Sequence, residues 1–190
     1  MLAFGHLSVL VSIVVGLSIS QMLFGLGQLM RRRGTYPLDA AYLLTNVIIL
    51  LVLVDCWWSV FSWHDEADWS YRMTWCVLLN PLLMTMAAQL IPPDWDERPL
   101  DITAAYRRNR RLIFGLLALY PLLDMVDTAL KGTAHFRSLG PGYPLSSIAM
   151  AVLCALAAFA SNRSLQIACC IGILLVVLLW IFEIYSVVPL

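Results

Sequence analysis

The sequence predicts an all-α polytopic membrane protein, a single bundle of six transmembrane helices over residues 1–190 with both termini outside the cytoplasm. Three observations lead there. Of the 190 residues, 61% are hydrophobic and only 13% charged, against roughly 45–50% and about 25% in soluble domains. The apolar residues fall into long runs separated by short polar loops, and the mean hydropathy is +0.82, as a chain that repeatedly crosses hydrocarbon requires. The basic residues cluster in alternate loops.

The runs cover about residues 4–30, 38–63, 72–91, 112–131, 144–160 and 164–187. Each is close to or above the roughly 20 residues that cross about 30 Å of hydrocarbon, the fifth being the shortest. They are continuous rather than alternating over about 10 residues, which argues against a β-barrel. The formal net charge is zero, which argues against nucleic acid as a partner.

Orientation follows from lysine and arginine. Arg31, Arg32, Arg33, Arg98, Arg107, Arg108, Arg110, Arg111 and Arg163 make nine on one side. Arg72, Lys131 and Arg137 make three on the other. The positive-inside rule puts the nine in the cytoplasm. The first apolar run precedes its basic cluster, the reverse of a cleaved leader, so it is expected to be retained.

Span one carries Ser8, Ser12, Gly16 and Ser20 at intervals of four. These share one narrow helix face, on which another helix can pack closely. Gln21 and Gln28 follow, available for hydrogen bonds across helices.

Span two ends in Asp55, Cys56, Trp57, Trp58 and Trp63, and the next loop adds Trp69 and Trp75. Tryptophans at a span end form an interfacial belt; the sharper reading is an aromatic wall for a cation or flat ligand beside Asp55.

Span three contains Asn80-Pro81 and span four Tyr120-Pro121. An interior proline frees a backbone carbonyl that neighbouring helices or water must satisfy. Pro92 and Pro93 end span three. Asp101 reads as an N-cap, followed by Arg107, Arg108, Arg110 and Arg111 in a segment (94–111) expected at the cytoplasmic interface. There the arginines, with Arg31–Arg33, meet the bilayer's anionic head groups. Residues 132–144, rich in Gly and Pro, read as an outer turn.

The intramembrane acids are Asp55, Asp124, Asp127 and Glu183, all on spans that run outward. At about 1.5 Å per residue, Asp124 lies roughly 18 Å from the cytoplasmic edge, with Asp127 and Asp55 at roughly 22–24 Å. A central Asp costs about 2.5–3.5 kcal/mol on an insertion scale, and an apolar residue returns about 0.3–0.6. Two acids therefore nearly cancel the apolar gain of span four. Asp127 has Lys131 one turn on, and Glu183 near the outer edge reaches water. Asp124 and Asp55 need a proton, a polar neighbour or a wet cavity.

The five cysteines lack metal-ligand spacing and read as small packing residues, with a Cys56–Cys76 disulfide geometrically open. His6, His64 and His135 are expected on the outer side and carry no paired metal motif. No metalloprotease, nucleophile-elbow or phosphate-loop signature is present, and no cofactor motif.

The stretch SIVVGLSISQMLFGLGQLM with Arg31–Arg33, the Trp57-Trp58 pair with Trp63, and the run LIFGLLALYPLLDMVDTAL resemble small bacterial inner-membrane proteins of no assigned activity. The resemblance implies a bacterial inner-membrane location and a six-span layout; it carries over no functional residue. Two functions fit the residues. One is a small transporter or channel for protons or a small cation, with Asp124, Asp55, Asp127, Glu183, Trp57 and Trp58 as binding residues. The other is a non-transporting subunit or scaffold. There the span-one face and the acids would hold a partner membrane subunit or a second copy.

Overall fold

A computed structural model of the chain describes residues 2–32, 39–63, 70–95 and 100–187, and their side chains except those of 2, 3, 62 and 183–187. Arg33, His64, Trp69, Arg98 and the side chain of Glu183, all singled out above, lie outside the described residues. Within them the chain forms seven α-helices and no strand. These are α1 (Leu2–Arg31), α2 (Ala40–Ser59), α3 (Tyr71–Gln89), α4 (Ile102–Leu130), α5 (Thr133–Ser138), α6 (Gly142–Phe159) and α7 (Arg163–Val187). A short 3-10 turn, Val60–Trp63, prolongs α2.

The helix starts are written in the sequence. Asp39 Oδ1 accepts from the backbone N–H groups of Ala41 and Tyr42 at 2.9 and 3.2 Å. Asp101 caps α4 through Ala104 N at 2.9 Å, and Ser70 caps α3 through Met73 N at 3.3 Å. Each cap answers N–H groups that the first helical turn leaves open. Both interior prolines sit within unbroken helices. From Ile102 onward the segment expected at the cytoplasmic interface runs into the fourth span as one continuous helix, α4. The stretch read as an outer turn contains α5, which starts after Gly132 at φ +107°, a conformation that glycine adopts without strain.

Five of these helices, α1, α2, α4, α6 and α7, are long and apolar enough to cross a membrane, which marks an integral membrane protein. The sequence pattern counted α3 as a sixth. At 19 residues it is long enough, but Arg72, Thr74, Asn80, Thr85 and Gln89 dilute its hydropathy and it is not among the five.

Contacts between helices close a ring in the order α2, α3, α4, α6, α7 and back to α2, with α1 packed outside against α2 and α3. Side-chain contacts fix which ends meet. At one end Arg163 of α7 grips Asp39 before α2. Asn109 of α4 donates to Leu90 O after α3 at 2.9 Å, Arg110 donates to Ala158 O of α6 at 3.2 Å, and Arg32 lies over the Trp95 ring. At the other end Trp63 after α2 meets Asp127 of α4, and Tyr143 of α6 meets Asp124. The long helices therefore alternate in direction. We call the two ends the arginine end and the aspartate end.

Between the ends the ring is dry. Ile48, Ile49, Ile113, Phe114, Leu117 and Ile173 are each inaccessible and belong to one core cluster. Below them a polar network joins α2, α4 and α7: Tyr106 Oη lies 2.8 Å from Thr45 Oγ1 and accepts from Gln166 Nε2 at 3.1 Å. All three side chains are buried, so each hydrogen bond replaces one that water would have made.

α1 packs through Leu7, Val11, Val15, Ser18 and Met22. The stripe expected to pack, Ser8, Ser12, Gly16 and Ser20, lies off that face. Ser12, Gly16 and Ser20 are exposed, with open space beside Gly16. From its packed face α1 makes a cross-helix hydrogen bond through Ser18, whose hydroxyl donates to Thr85 Oγ1 of α3 at 2.8 Å. All five cysteines carry free thiols, so the Cys56–Cys76 pairing left open by the sequence is not made.

Candidate functional site

At the aspartate end a cavity of about 330 Å³ opens among α2, α4, α5 and α7, with Asp55 and Asp124 in its wall. Beneath it lies a smaller pocket of about 30 Å³, enough for a water or two, and both carboxylates line that one as well. Trp180 of α7 also belongs to both.

Each acid is held by a tyrosine from another helix. Tyr120 Oη of α4 donates to Asp55 Oδ2 of α2 at 2.7 Å. Tyr143 Oη of α6 donates to Asp124 Oδ2 of α4 at 2.7 Å and lies 2.9 Å from Thr128 Oγ1. Asp124 and Thr128 are four residues apart, hence on one helix face, and both can reach the phenol. These are short bonds, of the length expected when a hydroxyl serves a carboxylate. Asp55 is only 9% exposed. Both tyrosine bonds fall on Oδ2, and both carboxylates line the two cavities.

Asp127 is arranged differently. Its Oδ2 pairs with Lys131 Nζ at 3.1 Å and accepts from Trp63 Nε1 at 3.3 Å. Lys131 also sits 4.7 Å from the centre of the Trp63 ring. This self-contained ion pair matches the i, i+4 spacing, and Lys131 borders the cavity from it. His135 of α5 borders it too. Burial, with Lys131 alongside, holds its imidazole below the ordinary range, while Asp127 pulls the other way. It is therefore uncharged at neutral pH.

The two adjacent tryptophans part company. Trp58 lines the cavity with Phe61, their ring centres 5.6 Å apart. Trp57 turns outward and donates to Ser12 Oγ of α1 at 3.0 Å. Consecutive residues point about 100° apart on a helix, so only one of the pair faces inward. Opposite, Trp180 packs on Tyr143 with ring centres 5.1 Å apart.

The structure thus brings Asp55, Asp124 and Trp58 to one cavity and leaves Trp57 outside it. The arginines named for lipid contact gather at the arginine end: Arg31, Arg107, Arg108 and Arg111 are exposed, Arg111 lying over Phe159. Arg32 and Arg110 are half-buried, Arg32 lying over Trp95 and Arg110 tied to α6. Sequence reasoning missed Tyr120, Tyr143, Thr128 and Trp180. Tyr120 was visible beside Pro121, but nothing local ties it to an acid on another helix. Among the described residues no three His, Cys, Asp or Glu side chains gather to hold a metal ion.

Comparison with known proteins finds no matching family model, curated protein or solved structure.

Proposed function

We propose that the chain is a small transporter of the bacterial inner membrane, taking a proton or a small cation into the aspartate-end cavity on Asp124 and Asp55. One observation carries this reading: two intramembrane carboxylates, from different helices, share the wall of a cavity large enough for water. An ionisable group at membrane depth is costly and marks a function, and these two border open space.

In this reading all six long helices cross the bilayer and both termini lie outside the cytoplasm. The arginine end is cytoplasmic, in line with the positive-inside rule. The up-and-down course of the helices supports counting α3 as a crossing. Its polar residues are tolerable because it packs between α2 and α4 and against α1. The bacterial location rests on the resemblance of its apolar stretches.

The proposal is tested by flux into proteoliposomes carrying a pH-sensitive or cation-sensitive dye. Wild-type protein should raise flux above empty liposomes, and Asp124→Asn should reduce it to background with unchanged reconstitution. Equal flux through both proteins removes Asp124 from the mechanism, and no flux above background removes the mechanism.

A second reading, a scaffold, is favoured by one observation. α1 leaves Ser12, Gly16, Ser20 and Gln21 on its outer surface, with Gln89 of α3 beside the last two. Polar side chains at membrane depth gain when a second helix satisfies them. If this face joins copies, Gly16→Leu should convert an oligomer to a monomer in mild detergent by light scattering. A wild-type monomer at all concentrations ends that version.

A further inference from the structure

We infer that the aspartate-end cavity binds an organic ammonium compound, a positively charged nitrogen carrying an apolar body, rather than a bare ion. This deepens the transport reading and rests on it for its site alone.

Size comes first. A volume of about 330 Å³ falls at the lower end of the range of small-molecule sites. A desolvated inorganic cation fills a small fraction of that and needs six or so oxygens around it. The chain offers two carboxylates here, and among the described residues no third acidic, cysteine or histidine ligand gathers with them.

Charge comes second. Lys131 is neutralised by Asp127 at 3.1 Å, and His135 is held uncharged. Asp55 and Asp124 have hydroxyl partners and, among the described residues, no salt-bridge partner. Their Oδ2 atoms accept from Tyr120 and Tyr143, which fixes each carboxyl group in the cavity wall. Two acids with no ion-pair partner among the described residues, one of them nine-tenths buried, are a receptor for a cation.

The walls decide which cation. Trp58 and Phe61 stand on one side, and Trp180, backed by Tyr143, on another. Aromatic faces attract a positive nitrogen through the ring quadrupole and attract its hydrocarbon by burial. A strongly hydrated metal ion gains nothing from them. An amine with an aryl or alkyl body uses both features, its nitrogen between the acids and its body against the indoles.

The experiment uses the full chain in lipid nanodiscs and follows tryptophan fluorescence, since Trp58 and Trp180 border the site. Phenethylammonium chloride is titrated against 2-phenylethanol, its neutral analogue, and against potassium chloride. The ammonium probe should bind about tenfold or more tightly than the alcohol. Potassium at equal concentration should not displace it. Asp124→Asn and Asp55→Asn should each weaken the ammonium probe by about tenfold or more and leave the alcohol unchanged. Equal binding of amine and alcohol, or displacement by potassium, overturns the inference, and neither result depends on a variant that must fold. Proton flux without amine binding leaves the transport reading and removes this ligand class. Amine binding without flux does the reverse.

Discussion

Phe114→Ala is expected to destabilise the protein by about 3 kcal/mol, the lower end of the cost of removing a buried aromatic ring. Phe114 is wholly inaccessible in the dry layer between the two polar ends. In a bilayer the unfolded reference is also apolar, so the transfer part of the penalty shrinks. What remains is the unfilled volume and the dispersion attraction that its walls forfeit. Leu119 on the same helix is the control: it is 46% exposed on the outer surface, and Leu119→Ala should change stability by no more than about 0.5 kcal/mol. Reversible unfolding in mixed micelles by a denaturing detergent measures both. A Phe114→Ala protein within about 1 kcal/mol of wild type would mean that the layer is loosely packed, since a tight one cannot refill that volume.

The second large effect lies at the arginine end. Asp39 is 4% exposed and meets Arg163 with both oxygens, at 2.9 and 2.8 Å, while capping α2. Asp39→Ala removes a cap worth about 1 kcal/mol and the partner of a guanidinium. Because the Arg163 side chain is 41% exposed, it can rehydrate. The total is accordingly about 2–3 kcal/mol, below the 3–5 of a fully buried pair. Asp39→Asn keeps an acceptor for the cap and should cost about half as much. Combined with Arg163→Ala, Asp39→Ala should show a coupling of about 1–2 kcal/mol in the same unfolding assay. Simple additivity would show that the pair contributes nothing beyond its separate residues.

Much of the architecture was legible in the chain, and the reasons are physical. A helix that crosses hydrocarbon must satisfy its backbone internally, so the long apolar runs could be drawn from composition, and the start of α4 from its cap Asp101. Which face of a helix turns inward was not legible. Lipid is as apolar as a protein core, so the repeat Ser8, Ser12, Gly16, Ser20 and the repeat Leu7, Val11, Val15, Ser18, Met22 are equally plausible seams. The structure uses the second. The acids were legible because a charge at that depth is costly. Their partners were not, because Tyr120 and Asp55 are 65 residues apart and nothing local says which helices are neighbours. Asp127 with Lys131 was readable for the opposite reason: the pair lies on one helix, a turn apart.

The stack of Ile49, Phe114, Leu117 and Ile173 has a consequence for how such a molecule must work. Thr45 and Asp55 are ten residues apart on α2, so about 15 Å separates the buried polar network from the aspartate-end cavity. No ion enters that thickness unaccompanied. In this conformation the side chains of that stack have no accessible surface. On the transport reading proposed above, a solute would cross only when the helices part on the other side, so that turnover would be a matter of rearrangement, slower than an open pore.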